Sequence, residues 1–419
     1  MFWLDIALGM DARGFLLLEH ARRETDMMDE NDRKYMMMAM DEAEKGVGLV
    51  SPNPMVGAVI VRDGRVIGKG HHRKYGGLHA EREALEDCKS RGETPAGAVM
   101  YVTLEPCCHY GKQPPCTEAI IDAGIARVVA GMGDPNPLVC GKGLRILQEA
   151  GIETECGLCE NELREQNRVF LKYIVTGRPW VALKYAMTAD GKIAAVSGDS
   201  KWVSGDVSRR RVHLLRNRYT GIVAGKGTVD ADDPMLNCRL ASSSENGEGV
   251  QGRSPLRIVL DSSASIPLGS NIVRTAKEYG TLLVHTSRAD LNVLQALSGE
   301  GVETLLCPQD AKGRPDVSVL CGLLGERGVD SILVEGGSET AWSFIQAGLV
   351  DEYYFFIAPK IVGGSGAKSP VGGDGFLKMS DAVNLAVADV MVSGEDVEVH
   401  AYRKEYFETL GRSICLRES

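Results

Sequence analysis

The chain is 419 residues long, 44% hydrophobic and 25% charged, with 57 acidic against 47 basic residues and a net charge of −10. That balance excludes a disordered, collagen-like or coiled-coil chain and suits two or three globular domains. It also argues against a surface for nucleic acid or anionic membranes, while leaving room for a small anion held by local basic residues.

Taken in chain order, residues 1–28 carry the apolar stretches Phe2-Trp3-Leu4 and Gly14-Phe15-Leu16-Leu17-Leu18, broken by Asp5 and Asp11. Without a basic leader or a small-residue cleavage site they are expected to be an extension, not a signal peptide. No apolar run reaches the roughly 18–20 residues of a membrane span. Eleven scattered cysteines predict a reducing compartment, the cytoplasm. A helix is expected from about residue 29 to Gly46, its methionines filling core. Pro52-Asn53-Pro54 is a turn. Residues 55–61 and 65–70 around Asp63-Gly64 predict a hairpin, because Asp-Gly suits the positive φ of a type I′ turn. A helix over 79–89, a strand over 99–104, a helix over 116–123 closed by Gly124 and a strand over 125–130 follow.

The turn cluster Thr176-Gly177-Arg178-Pro179 places the main boundary, giving domains 29–176 and 177–419. In the second, strands over 180–187 and 192–196 are predicted to flank a turn at Asp190-Gly191. A helix over 207–218, strands over 221–224 and 257–260, and a polar loop over 242–249 come next. A strand over 331–334 feeds Gly336-Gly337 and a helix over 339–346, then a strand over 353–357 precedes the glycine-rich loop 363–366. Alternating strands and helices predict α/β layers in both halves.

The strongest chemical signal lies in the first half: His79-Ala80-Glu81, then Pro106-Cys107, then Pro115-Cys116. A catalytic zinc takes three nitrogen or sulfur ligands and keeps one position for water. His79, Cys107 and Cys116 supply that set, and Glu81 can reach the water without ligating. The pattern is the H-x-E, P-C-x-x-C signature of zinc deaminases, except that eight residues separate these cysteines. Cys108 and His109 are therefore rival ligands; Cys107 is preferred because it directly follows Pro106. Cys156-Gly157-Leu158-Cys159 has no second pair nearby, His71-His72 is expected to border pocket or solvent, and Arg209-Arg210-Arg211 is expected on a solvated helix face.

Around these residues the chain resembles the bifunctional riboflavin-biosynthesis deaminase–reductases. The first half matches through residues 53–61, Gly77-Leu78-His79-Ala80-Glu81, Thr103-Leu104-Glu105-Pro106-Cys107, residues 111–117, Asp134-Pro135-Asn136-Pro137 and Gly141-Lys142-Gly143. The second matches through residues 183–192, 200–204, Leu215-Arg216, 227–236 with Arg239, 334–338 and Ala358-Pro359-Lys360. Cys108, Tyr110 and Gln113 depart from the family pattern, where Ser, His and Thr are expected.

The resemblance implies a cytidine-deaminase-like three-layer α/β domain followed by a dihydrofolate-reductase-like α/β domain. It implies zinc-dependent deamination of a pyrimidine ribotide with Glu81 as proton carrier, then NADPH-dependent reduction of the ribosyl group to ribityl. Asn53 is then a substrate contact of the deaminase. Ala186, Trp202, Thr228, Asp232, Gly337, Ser338, Glu339 and Thr340 are expected to line the NADPH site. Lys184, Ser200, Arg216, Leu236, Arg239 and Glu335 are expected to face the substrate, with Arg216 and Arg239 gripping its phosphate. A homo-oligomer acting on a small molecule, without nucleic acid or membrane, completes the expectation. The competing readings are a nucleic-acid base deaminase with an accessory domain and a non-catalytic structural-zinc module.

Overall fold

The computed structural model describes residues 30–111, 113–136, 139–240 and 252–405. The expected extension 1–28 and polar loop 242–249 lie outside them. The chain divides into two units that part at Asn167/Arg168, ahead of the expected turn, with residues 51–53 grouped with the second.

In the first unit, helix α1 (30–44) precedes β1 (Gly57–Arg62), β2 (Arg65–His71), α2 (Ala80–Ser90), β3 (Val99–Val102), α3 (Cys116–Asp122), β4 (Arg127–Ala130), α4 (Lys142–Glu149), β5 (Glu153–Cys156) and α5 (Glu160–Gln166). The sheet order is β2-β1-β3-β4-β5. β1 runs antiparallel to β2 and β3, and β3, β4 and β5 run parallel. The hairpin forms as expected, with Asp63 and Gly64 at φ 52° and 72°. Glycines show where helices meet the sheet. A Cβ on Gly57 would lie 1.9 Å from the Ala39 carbonyl oxygen of α1, and one on Gly70 2.4 Å from the Ala84 nitrogen of α2. Gly70 pairs with Ala58, the neighbour of Gly57, so the two glycines point to opposite faces. One helix therefore covers each face, which makes three layers.

The second unit runs α6 (Arg168–Thr176), β6 (Trp180–Thr188), α7 (Asp206–Arg218), β7 (Gly221–Gly225), α8 (Lys226–Asp232), β8 (Leu256–Leu260), α9 (Asn271–Arg274), β9 (Thr281–His285), α10 (Leu291–Gly299), β10 (Glu303–Leu306), α11 (Val317–Glu326), β11 (Ser331–Glu335), α12 (Ser338–Gln346), β12 (Glu352–Ala358), β13 (Leu385–Ser393) and β14 (Asp396–Arg403). The sheet order is β10-β9-β8-β7-β11-β6-β12-β14-β13. Only β14 and β13 are antiparallel to their neighbours. Runs such as Ile332-Leu333-Val334 are buried throughout, as a parallel sheet covered on both faces requires.

Two expectations about this unit change. Residues 192–196 form no strand: β12 pairs with β6 over Ala182–Thr188 and β11 over Trp180–Lys184, and the chain leaves the sheet after the turn instead of pairing with the short open edge at Tyr185–Thr188. Ile193 N–H instead donates to the Lys368 carbonyl at 3.0 Å. Residues 168–176 sit in the second unit because Arg168 anchors α6 to it. Its guanidinium meets the fully buried Glu352 at 2.7 and 3.2 Å, and Trp180, Tyr219, Tyr354 and His400 crowd the same carboxylate.

Candidate active sites

The first site is built from two helix starts and a strand exit. His79 is the N-cap of α2, Cys116 is the first residue of α3, and Cys107 follows β3. Their ligand atoms all lie within 4.8 Å of one another, the only such group among the described residues. His79 Nδ1 is 3.4 Å from each sulfur, and the Cys116 N–H donates to the Cys107 sulfur at 3.3 Å. Zinc with bonds of about 2.05 Å to nitrogen and 2.3 Å to sulfur at tetrahedral angles sets such atoms about 3.6 Å apart. The donor set and its spacing therefore fit zinc. Neither Cys108 nor His109 joins the group.

The electrostatics agree. The Cys116 thiol donates to Cys107, and with the His79 ring this holds Cys107 well below the usual thiol range against the opposing effect of burial. Cys116 is pushed up in return by that shared proton, by burial and by Glu81. Two sulfurs sharing one proton form a seat for a cation. His79 is raised by its bond to Cys107. Glu81, two residues past the ligand, is only 3% exposed. Burial first, and the Cys107 charge second, push its carboxyl up to about 7. A carboxyl near neutrality beside the cation seat can both take and return a proton. Behind the site, His72 is buried with Nδ1 2.8 Å from the Leu78 carbonyl and its ring edge-on to His79. Asn53 lies half-buried in the turn before Pro54 and is not part of the ligand group.

The second site is a cavity of about 830 Å³ at the carboxyl ends of β6, β7 and β11. The chain lays β7, β8, β9 and β10 outward on one side of β11, and β6 and β12 on the other, so the cavity marks the reversal of strand order. Every second-half residue expected at the NADPH or substrate sites lines it. Gly336 and Gly337 lead into α12 at φ 107° and 76°, a path that favours glycine. A Cβ on Gly336 would stand 2.9 Å from Thr228 Oγ1. Ser200 Oγ donates to Asp232 at 3.0 Å. Leu236 is buried at φ 47°, an unusual conformation for a branched side chain.

The expected phosphate grip divides. Arg216 is not open to an anion: its fork closes on Glu335 at 2.8 and 3.0 Å and its third nitrogen donates to the Asn237 carbonyl. Lys184 approaches the same carboxylate at 3.4 Å. Burial alone would raise Glu335, but the Arg216 and Lys184 charges outweigh it and hold the carboxyl at about 2. Arg239 is exposed at the cavity wall. Sequence reasoning missed two lining residues. Arg209, expected in solvent, stacks over the exposed Trp202 ring at 4.5 Å. His213 lies one turn before Arg216, and that spacing was the available signal; its Nδ1 accepts the Arg239 backbone N–H at 3.2 Å. Burial, then Arg216 and Arg239, push it down to about 4.

Two family models match the chain. The cytidine and deoxycytidylate deaminase zinc-binding region matches residues 29–132, and the RibD C-terminal domain matches residues 179–399. The riboflavin biosynthesis protein RibD of Actinobacillus pleuropneumoniae is 44% identical over 87% of this chain and 94% of its own length. That of Escherichia coli (strain K12) is 40% identical over 88% and 98%. Among solved structures, the diaminohydroxyphosphoribosylaminopyrimidine deaminase/5-amino-6-(5-phosphoribosylamino)uracil reductase of Thermotoga maritima has a TM-score of 0.78 at 37% identity, covering 90% of this chain and 99% of that one. Acinetobacter baumannii RibD has a TM-score of 0.77 at 35% identity, covering 89% and 99%.

Proposed function

The chain belongs to the riboflavin-biosynthesis RibD family, and from that premise we propose how its residues share two reactions. It is a bifunctional enzyme, with a zinc-dependent deaminase in its cytidine-deaminase-like first domain and an NADPH-dependent reductase in its dihydrofolate-reductase-like second. Its substrates are of the kinds named for the T. maritima relative: a diamino-hydroxy-pyrimidine ribotide that loses an amine, and 5-amino-6-(5-phosphoribosylamino)uracil, whose ribosyl group is reduced to ribityl.

Zinc held by His79, Cys107 and Cys116 supplies Lewis acidity toward the attacking water. Glu81 takes the proton that the water gives up and returns one to the departing ammonia. Its burial keeps both protonation states within reach at neutral pH. Asn53 contacts the pyrimidine. In the second domain NADPH supplies the hydride, and the protein supplies orientation and electrostatics. The N–H groups at the start of α12, from Ser338 to Thr340 after the Gly336-Gly337 turn, would hold the cofactor phosphates. Ala186, Trp202, Thr228, Asp232 and Glu339 complete that wall. Lys184, Ser200 and Leu236 face the ribotide. Arg239 receives its phosphate, whereas Arg216 fixes Glu335 beside Lys184. The same reading makes the enzyme a cytoplasmic homo-oligomer whose partner is the ribotide; no helix among the described residues is long and apolar enough to cross a membrane.

The observation that carries this reading is the three-donor group with a buried carboxyl beside it. Glu81→Gln tests it. Ammonia release is expected to fall about 10²–10⁴-fold, as for loss of a general acid–base group. Zinc content and NADPH oxidation with supplied deaminated ribotide are expected to stay at wild-type values. Wild-type ammonia release from the zinc-loaded variant overturns the role of Glu81.

A further inference from the structure

Glu105 carries a carboxylate for which neither reaction has a use. It is 3% exposed and stands two residues before the Cys107 ligand. Among the described residues no cation pairs with it. Its partners are instead four backbone N–H groups: Asp134 at 3.3 Å and Gly141 at 2.9 Å on one oxygen, Gly143 at 3.0 Å and Leu144 at 3.4 Å on the other. The last two open α4, so the carboxylate also sits at the positive end of that helix. Bonds to a charged acceptor are about twice as strong as neutral ones, and the two closest here, from Gly141 and Gly143, hold one oxygen each.

The clamp has a second half. Gly143 packs directly under the ligand segment: a Cβ there would lie 2.1 Å from the Pro106 carbonyl oxygen and 3.2 Å from Glu105 Oε1. Gly143 has no positive φ, so its backbone tolerates alanine and only the contact forbids it. The Glu105 N–H meanwhile donates to the Met132 carbonyl at 2.9 Å, and the Cys107 carbonyl accepts from the Thr117 N–H at 3.2 Å. The three residues Glu105-Pro106-Cys107 are thus held from the side-chain and the backbone directions at once, against the start of α4 and the start of α3.

We infer that Glu105 is a positioning residue for zinc: by clamping the start of α4 it fixes the height of the Cys107 sulfur above the cation seat. The inference rests on the ligand set assigned above. Outer groups that orient metal ligands are worth roughly 10–100-fold in metal affinity. Glu105 acts through the chain rather than by touching the sulfur. A merely structural role would lower stability without altering how the bound metal is coordinated.

The test uses the full chain as wild type, Glu105→Ala, Glu105→Gln and Gly143→Ala. Each is loaded with zinc, and the rate of loss to a chelator is followed; each is then reloaded with cobalt(II) for its thiolate charge-transfer and d–d spectrum. NADPH oxidation with supplied deaminated ribotide serves as a control in the other domain. Glu105→Ala and Gly143→Ala are expected to lose zinc at least about tenfold faster than wild type. Both are expected to shift the cobalt spectrum and to leave NADPH oxidation unchanged. Glu105→Gln keeps one acceptor oxygen and is expected to fall between. Wild-type release rates and spectra in Glu105→Ala overturn the inference. If Glu105→Ala unfolds the first domain, Glu105→Gln decides: faster release with an altered spectrum supports the inference, and wild-type behaviour overturns it. A wild-type chain that binds no stoichiometric zinc removes the ligand assignment itself, a result distinct from a bound zinc indifferent to residue 105.

Discussion

The two sites are built on opposite plans. The first gathers three ligand atoms and one carboxyl from residues 79 to 116, each fixed by a helix start or a strand exit. The second spreads its lining from Leu183 to Pro370 and holds it together with charge, above all the Lys184–Glu335–Arg216 cluster. A site that binds a cation needs particular donor atoms. A site that binds a large anionic cofactor needs a shape, and many ordinary residues can line a shape. The contrast implies that each half fails by its own route.

Removing the metal breaks the comparison most severely if it is wrong. Chelation of zinc is expected to abolish ammonia release, by about three orders of magnitude or more. NADPH oxidation with supplied deaminated ribotide is expected to persist at the wild-type rate. A parallel loss of both activities would show that the second site depends on the first. Next in size is Arg216→Ala. It leaves Glu335, 7% exposed, with Lys184 at 3.4 Å as its remaining ionic partner. Leaving a buried carboxylate uncompensated costs about 3–5 kcal/mol, an upper bound here because Lys184 stays beside it. Calorimetry is expected to show the second domain's transition falling while zinc content and ammonia release hold. Unchanged melting would mean that charge does not hold this site together.

That difference in plan also governs what the sequence could reveal. His79, Cys107 and Cys116 declare themselves because few other uses combine one imidazole, two thiols and a nearby carboxyl. Asp63-Gly64 declares its hairpin because the turn needs positive φ at both positions. The second half resisted for two physical reasons. A parallel strand is paired by distant segments, so nothing near residues 192–196 signals that β12 takes one edge of β6 to its end and β11 the first half of the other. A guanidinium looks the same whether it awaits a phosphate or holds a carboxylate, so Arg216 and Arg239 could not be told apart until Glu335 was placed. His213 and Arg209 were hidden in a helix whose charge suggested only a solvated face.

Arg239→Ala sharpens the distinction between those two arginines. Arg239 stands exposed at the cavity wall, so its loss strands no buried partner. A bond to a charged group is worth about 1.5–3 kcal/mol. The KM for the deaminated ribotide is therefore expected to rise roughly 10–100-fold, by the conversion of about 1.4 kcal/mol per decade. Melting and ammonia release are expected to stay unchanged. If instead kcat falls while KM holds, Arg239 acts on the transition state rather than on a phosphate.

Acid should separate the two domains by the smallest effect, and its sign is fixed by two groups of the second. Glu335 is held near 2, where burial works against the Arg216 and Lys184 charges. Its contribution is fully present above its unfolded value, about 4.5, and is lost as pH falls toward 2. His213, pushed down to about 4 by burial and then by Arg216 and Arg239, stays neutral in the folded protein, while the unfolded chain takes up its proton near 6.5. Its contribution is therefore present above pH 6.5 and lost between 6.5 and 4. Both groups make the unfolded chain bind more protons, so the second domain loses stability in two successive windows on acidification. The melting temperature of that domain, followed from pH 7 to pH 4.5, is expected to fall less in His213→Gln than in wild type, because the upper window is gone. Glutamine can still accept the Arg239 N–H, so the comparison removes the titration and keeps the bond. Equal slopes in the two proteins would show that His213 does not set the acid sensitivity of this domain between pH 7 and 4.5. The charged cluster around Glu335 would then hold this site without help from its neighbouring histidine.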